Sequence, residues 1–485
     1  LHVFAACSHT KTSQFKLDDL DLIDAILPNV VCVDVPISDQ GNSFYRPLPK
    51  HREFREESFI FPFEYKYFDP YYNWDGIDTA LKPYNGEPVS NIDDESWTHA
   101  KAVVLRMFAE KVSKSSEIEY SHAIEELKMK KSPGFPYNID YDDKRDVFMC
   151  IPEVVKARSD AFMYSDEVND VYWYVFAKKE LLSVKKVNNN KIRTIQVPPV
   201  DLLLSYIRTF QLQNEMIMNS GLVAVGDKLE YGGFTEWCNK RRKYNCFLEI
   251  DGDQFDRSLI NKIMEAIRDI RKNLHYAPEV VQRLYKLLIK VGLVDGRGKV
   301  HFKDHGNPSG SFNTIYDNCM ASWLILAYVV IRCEFDFDDW IQHCKVDVLG
   351  DDLLLCMKTD YQITYDEFAK YSAELGMKYS LARESDSLIG HSFYGQTVTY
   401  SDEFKCFVGY PNFDKLKAKL CYLPKANEEC QEILRSLYSH FYVDKDLREQ
   451  FKLFVSDLSA KRQYNFLLPS DYSMEVLILG WRVEL

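Results

Sequence analysis

Residues 345–357 read Lys-Val-Asp-Val-Leu-Gly-Asp-Asp-Leu-Leu-Leu-Cys-Met. Lys345–Leu349 and Leu353–Met357 are short apolar runs of strand length, and Gly350-Asp351-Asp352 between them supplies the residue types of a tight hairpin turn. Two adjacent carboxylates at a hairpin tip are costly to hold beside a core unless a cation shares the site. A Gly-Asp-Asp triplet is weak evidence alone, because Gly and Asp suit turns on conformational grounds. Its weight comes from what surrounds it.

Upstream, Cys246–Ile250 is a second strand-like run, and it ends at Asp251-Gly-Asp-Gln-Phe-Asp256. A carboxylate at a strand end can hold a hard cation at the edge of a sheet, and Asp256, beyond the turn, can face the same cleft. Acids near a first helical turn also cap it, so these residues alone leave both readings open. Ser258–Arg271 follows, with Ile260, Ile263, Ile267 and Ile270 at helical spacing. The loop Gly306-Asn-Pro-Ser309-Gly310 leads into a long apolar helix through Ile331, on which Thr314 and Asn318 share one face. A polar pair on so apolar a helix faces something specific; the blander alternative is a solvated face. Near the end, Ile433, Leu434, Leu437, Tyr438 and Phe441 form one apolar stripe, and Leu447, Phe451, Phe454 and Leu458 another, both read as core packing.

The net charge of -13 argues against a protein that coats nucleic acid through bulk positive charge, so a polyanion would need a locally basic channel. Lys178, Lys179, Lys185, Lys186, Lys191 and Arg193 fall within sixteen residues whose one acid is Glu180, and Lys240-Arg241-Arg242-Lys243 precedes the first acidic segment. Flanking the candidate chemistry, the two runs lean towards phosphate contact. The 12 cysteines include no CxxC pair, which suggests reduced thiols, and His343-Cys344 reads as ordinary rather than zinc-binding. The longest apolar run, near Ala321–Ile331, reads as too short to span a bilayer. There is no signal-peptide pattern, and a start at Leu1 fits either release from a precursor or a trimmed chain. Without repeats or a long linker, the chain is expected to form one integrated body of several subdomains, or two to three domains. The first hundred residues carry no readable function.

Taken in order, these segments resemble the polymerase motifs of picorna-like positive-strand RNA viruses, and of their potyvirus and astrovirus branch most. Ser132-Pro-Gly134-Phe-Pro-Tyr137 resembles the motif G loop beside the template entrance. Phe176-Ala-Lys178-Lys179-Glu180-Leu181, ending in Lys191-Ile-Arg193-Thr194, is similar to the triphosphate-contacting motif F. Asp251–Asp256 is similar to motif A, Ser309–Asn318 to the SGxxxTxxxN of motif B, and Gly350–Asp352 to motif C. Phe368–Tyr379 resembles motif D and Phe393-Tyr394-Gly395 motif E. Leu349 stands where the family usually has Tyr, and motif E is poorly matched.

The resemblance implies an α+β right-hand polymerase, closed by fingertips, with fingers, an antiparallel palm sheet and a helical thumb. Fingers would take 1–194 with an insertion at 259–306, the palm 195–258 and 307–400, and the thumb 401–485. It implies template-directed RNA synthesis from ribonucleoside triphosphates, replicating a positive-strand RNA virus genome. Asp251, Asp351 and Asp352 would hold two Mg²⁺ ions, or Mn²⁺. Lys178, Lys186 (or Lys185) and Arg193 would bind triphosphate, and Asp256, Ser309, Gly310, Thr314 and Asn318 would position the ribose. Lys378, in competition with Arg383, would be the general acid. Implied partners are an RNA template–primer, ribonucleoside triphosphates, a viral protein primer and other replication proteins. The implied location is the host cytoplasm, in a replication complex associated with membrane through partners. Two rival functions are an inactive polymerase-derived scaffold and a metal-dependent phosphohydrolase. The second would not need the Ser-Gly…Thr…Asn helix or the basic segment.

Overall fold

The computed structural model describes residues 74–166, 171–178, 180, 182, 186, 189, 191–420 and 423–480, and the backbone of the short strands Val31–Cys32, Tyr67–Phe68 and Leu182–Ser183. Lys179, Lys185 and most of the first 73 residues lie outside the described residues.

Alternation along the hairpin of residues 345–357 builds the centre of the molecule. Strands Lys345–Leu349 and Asp352–Met357 pair antiparallel, and Cys246–Gly252 and then Tyr379–Ser385 extend the sheet to four strands. Successive side chains of a strand point to opposite faces. Leu353, Leu355 and Met357 therefore enter one core and Leu354 and Cys356 another. The first core is closed by helices Asn261–Asn273, Thr314–Arg332 and Tyr365–Glu374. The second is closed by Phe234 and Trp237 of helix Gly233–Arg241 and by a three-stranded sheet of Ser392–Phe393, Gln396–Ser401 and Cys406–Pro411.

A second sheet runs in the order Val31–Cys32, Lys299–Lys303, Val291–Asp295, Tyr172–Ala177, Thr194–Val197. The expected division at 194/195 cuts through Thr194–Val197, which pairs over its whole length with Tyr172–Ala177. The segment 259–306 adds its two strands to this same sheet. At the C-terminal end, helices Phe413–Leu420, Asn427–Phe441, Lys445–Arg462 and Asp471–Leu479 bury a separate core.

Three sequence expectations are corrected. Ile433 is 38% exposed, because Cys430, Leu434, Leu437, Tyr438 and Phe441 make the inward stripe and Ile433 lies off it. The apolar run at 321–331 belongs to the 19-residue helix Thr314–Arg332, the one helix among the described residues long and apolar enough to cross a membrane. It is 78% buried within the protein, since its body from Asp317 to Val330 packs inside. In the basic run at 240–243, Arg241 is not available to phosphate, whereas Lys240, Arg242 and Lys243 are exposed. Arg241 is buried, bonded through Nε to Asp347 at 2.5 Å and stacked 4.1 Å from the Trp237 ring, while Lys240 pairs with Glu236 at 2.7 Å.

Candidate active site

Strand register brings the acids together. Asp251 is the direct cross-strand partner of Asp352 on one side and of Ser380 on the other, and Asp351 occupies the turn beside them. Two strands and the turn between hairpin strands thus bring three carboxylates to one end of the sheet. Asp251 and Asp352 reach solvent there, and Asp351 is half-buried. Surrounding protein strips hydration from all three and raises each above the ordinary Asp range. Asp352 is pushed up to about 6, by that loss of hydration and then by the charges of Asp351, Asp251 and Glu249. Among carboxylates so crowded, bound divalent cations reverse the balance. The donors are hard oxygens, the class that Mg²⁺ and Mn²⁺ take, so the residues fit those ions.

Beside this cluster lies a polar chain. Asn318 Nδ2 donates to Asp256 Oδ1 at 2.6 Å, and Asn307 Nδ2 donates to Asn318 Oδ1 at 2.9 Å. Asp256 is raised to about 6 by lost hydration, against which the Asn318 bond pulls down. Ser309 Oγ lies 2.9 Å from both the Thr194 carbonyl and Gln196 Oε1, fastening the loop to the second sheet. Gly310 is required there, because a Cβ would fall 2.1 Å from the Gln196 carbonyl oxygen. Thr314 closes the same loop, its hydroxyl lying 2.7 Å from the Pro308 carbonyl and 2.9 Å from that of Ser311.

The basic segment overlooks the acids. The Arg193 guanidinium, 59% exposed, acts electrostatically on Asp351 and Asp256, and Lys186 and Lys191 act on Asp251. Glu180 holds Arg193 and Lys178 at 3.5 and 3.7 Å. Lys191 was not among the residues picked out for triphosphate, yet it reaches Asp253 at 3.5 Å. Its place within the basic run was the available signal. Asn307, which braces Asn318, stood within the quoted loop 306–310 without being singled out, and Gln196, which braces Ser309, had no comparable signal.

Lys378 is exposed at the carboxylate end of the sheet, its carbonyl accepting from Asp253 N at 2.8 Å. Arg383 lies opposite Glu249, past a register shift, with its guanidinium over Gly390. Gly134 of the loop 132–137 has φ +76° and approaches so closely that a Cβ would sit 2.4 Å from the Pro198 oxygen. Tyr137 then donates to Asp201 at 2.7 Å.

A second candidate cation cluster, Asp78, Asp295 and His301, has ligand atoms within 4.8 Å of one another. Arg297 pairs with both acids and Lys299 with Asp78; despite burial, Arg297 and Lys299 hold Asp78 below the ordinary value, and the His301 hydrogen bond and then Arg297 do the same for Asp295. The chain's own charges already satisfy this cluster.

The sequence profile described as "Viral RNA-dependent RNA polymerase" matches residues 56–405. Among curated relatives, the genome polyprotein of Plum pox potyvirus (strain El amar) is 27% identical over 317 residues, covering 62% of this chain and 20% of the polyprotein. That of Lettuce mosaic virus (strain E) is 27% identical over 214 residues, covering 43% and 7%. The chain therefore spans a small fraction of the polyproteins it matches. Among solved structures, the Sicinivirus 3Dpol RNA dependent RNA polymerase superposes with a TM-score of 0.69 at 16% identity, covering 83% of this chain and 89% of that one. The likeness in structure is one of fold, an α+β polymerase fold. The profile match takes in more than half the chain and every motif from Ser132 to Gly395, and on that ground the chain belongs to the viral RNA-dependent RNA polymerases, the RNA-directed RNA polymerases of positive-strand RNA viruses.

Proposed function

We propose that this chain copies an RNA template from ribonucleoside triphosphates by two-metal-ion nucleotidyl transfer, replicating a positive-strand RNA virus genome. The observation that carries the reading is the direct pairing of Asp251 with Asp352 across two strands, with Asp351 at the adjoining turn. These three residues would hold two Mg²⁺ ions, with Mn²⁺ an alternative. When bound, such ions favour ionisation of the attacking 3′ hydroxyl and neutralise the leaving pyrophosphate.

The chain's other residues bind, orient and move a proton. Arg193, Lys178 and Lys186 take the triphosphate, with Lys191 beside them. Asp256 accepts and Asn318 both donates and accepts, so the pair can sense a 2′ hydroxyl. Ser309, Gly310 and Thr314 hold the loop on which that pair depends. The proton of the attacking hydroxyl passes to solvent; as the bond from the 3′ oxygen to the α-phosphorus forms, the bond from that phosphorus to the bridging oxygen breaks, and Lys378 gives a proton to the departing pyrophosphate. Lys378 is preferred to Arg383 because it lies at the carboxylate end, and because an ammonium yields a proton where a guanidinium seldom does.

The second sheet, with the two strands of 259–306, is assigned to the fingers, the four-stranded sheet with the helix Asn261–Asn273 that closes its core to the palm, and the C-terminal helices to the thumb. Fingertips would close the hand. Expected partners are a template–primer RNA, a viral protein primer and other replication proteins, in a membrane-associated complex of the host cytoplasm.

Primer extension on an RNA template with labelled ribonucleotides tests the reading. Template-dependent, divalent-dependent extension is expected. Binding of RNA without extension would favour an inactive scaffold, and triphosphate hydrolysis without extension a phosphohydrolase.

A further inference from the structure

Gly350 opens the Gly-Asp-Asp turn, and both of its backbone polar groups are held by the helix Thr314–Arg332. Its N–H donates to Cys319 Sγ at 3.1 Å, and Ser322 Oγ donates to its carbonyl at 2.7 Å. Cys319 and Ser322 are 0% and 1% exposed. A Cβ at Gly350 would meet Ile315 Cδ1 at 3.0 Å, so the turn also rests directly on the helix. Ile315, Asn318, Cys319 and Ser322 follow the i, i+3, i+4, i+7 spacing of one helical face. The face that presents Asn318 to Asp256 therefore also grips the turn that carries Asp351.

The polar atoms at 319 and 322 call for an explanation. A hydroxyl in an apolar core is costly unless bonded. A helical serine ordinarily satisfies itself on the carbonyl of its own preceding turn. Ser322 instead donates across to another element, where the acceptor is the first peptide of the turn. Cys319, beside it, supplies the acceptor for the same residue's N–H.

We infer that Cys319 and Ser322 are positioning residues that set the Gly350 peptide, and with it the stance of Asp351 towards Asp251, so that the helix bearing Asn318 and the metal-binding turn move as one unit. The inference rests on the reading of Asp351 as a metal ligand.

Mn²⁺ titration of the purified chain, followed by electron paramagnetic resonance without RNA or nucleotide, separates the two. Asp351→Asn is expected to lose the binding. Ser322→Ala and Cys319→Ala are each expected to weaken it about two- to tenfold, the worth of one hydrogen bond. Cys319→Ser, which keeps an acceptor, should recover most of the loss. The Mg²⁺ concentration for half-maximal extension should rise by the same factor, while binding of a template–primer duplex stays unchanged. If Asp351→Asn loses Mn²⁺ but Ser322→Ala and Cys319→Ala bind it like the parent, the positioning role is wrong and the metal reading stands. If Asp351→Asn keeps full Mn²⁺ affinity, the metal reading fails and takes the inference with it. Should Ser322→Ala not fold, the contrast between Cys319→Ala and Cys319→Ser reads the same quantity. A lower melting temperature with parental Mn²⁺ affinity would mean that these residues only pack.

Discussion

Asp317 and Asn318 are neighbours on one helix, and they belong to opposite kinds of polar cluster. Asp317 is wholly buried and fully answered. Arg271 gives Nε and Nη2 to its Oδ1 at 2.9 and 2.7 Å, and the Tyr285 hydroxyl gives to its Oδ2 at 2.8 Å. The remaining Arg271 nitrogen donates to Gln213 and Asn214 at 2.8 and 2.7 Å. Asn318 faces the other way, to Asp256, beside the Gly350 turn that carries Asp351 into the group of Asp251 and Asp352. Opposite charges that satisfy one another hold a fold. Like charges crowded at a sheet end, with only exposed cations overhead, are an arrangement that folding alone does not favour, and such sites mark function.

The sharpest way to break this contrast is Asp351→Asn. It keeps the shape and removes one of the repelling charges, so incorporation is expected to fall to background. The metal-free melting temperature should hold or rise. A collapsed melting transition would place Asp351 with the structural acids instead.

Arg271→Met should behave in the opposite way. It leaves Asp317 buried without its partner, which typically costs about 3–5 kcal/mol. Urea unfolding should register most of that loss, while the folded fraction keeps a near-parental nucleotide KM. A stable variant with a greatly altered KM would show that this network belongs to the site.

These two clusters were not equally legible in the sequence. The hairpin at 345–357, the Asp251 strand and the core helix were readable because each announces itself within a dozen or so residues, by alternation, by a turn or by apolar spacing. The Arg271–Asp317 and Arg241–Asp347 pairs join residues 46 and 106 apart. Nothing local distinguishes Arg241 from the exposed Lys240, and so one buried strut was read together with its exposed neighbours as leaning towards phosphate. The grip of Cys319 and Ser322 on Gly350 was hidden in the same way, inside an apolar stretch whose partner lies 28 to 31 residues on. Asp256 and Asn318 were legible as types but not as a bonded pair.

Asn318→Ala tests the functional side of the contrast with a smaller effect. A site built to pair a hydroxyl is penalised when that hydroxyl is absent, because its own polar groups go unsatisfied. Truncating Asn318 removes that penalty for a deoxynucleotide along with the contact to the ribonucleotide. The ratio of ribo- to deoxynucleotide incorporation should shrink about tenfold. Equal loss for both substrates would leave Asn318 as a packing contact of the palm.

The smallest expected effect concerns a lone cation on the structural side. Lys144 is buried, and its Nζ donates to the Ser132 carbonyl at 2.7 Å, bracing the loop 132–137. Burial, helped by the nearby charge of Lys131, lowers its pKa to about 8 from an ordinary 10.5. In the window between those values the unfolded chain binds the proton more fully than the native one, so stability rises with pH there. Below about 8 both states hold the proton, and the full cost of a charged buried amine is present. Lys144→Met removes this dependence along with the hydrogen bond. Comparing urea unfolding of parent and variant at pH 7.5 and pH 9.5 cancels the titration of the other groups. The parent is expected to gain about 2 kcal/mol on the variant across that interval. The same pH slope in both proteins would falsify the assignment, and would mean that the amine is already hydrated in the native state.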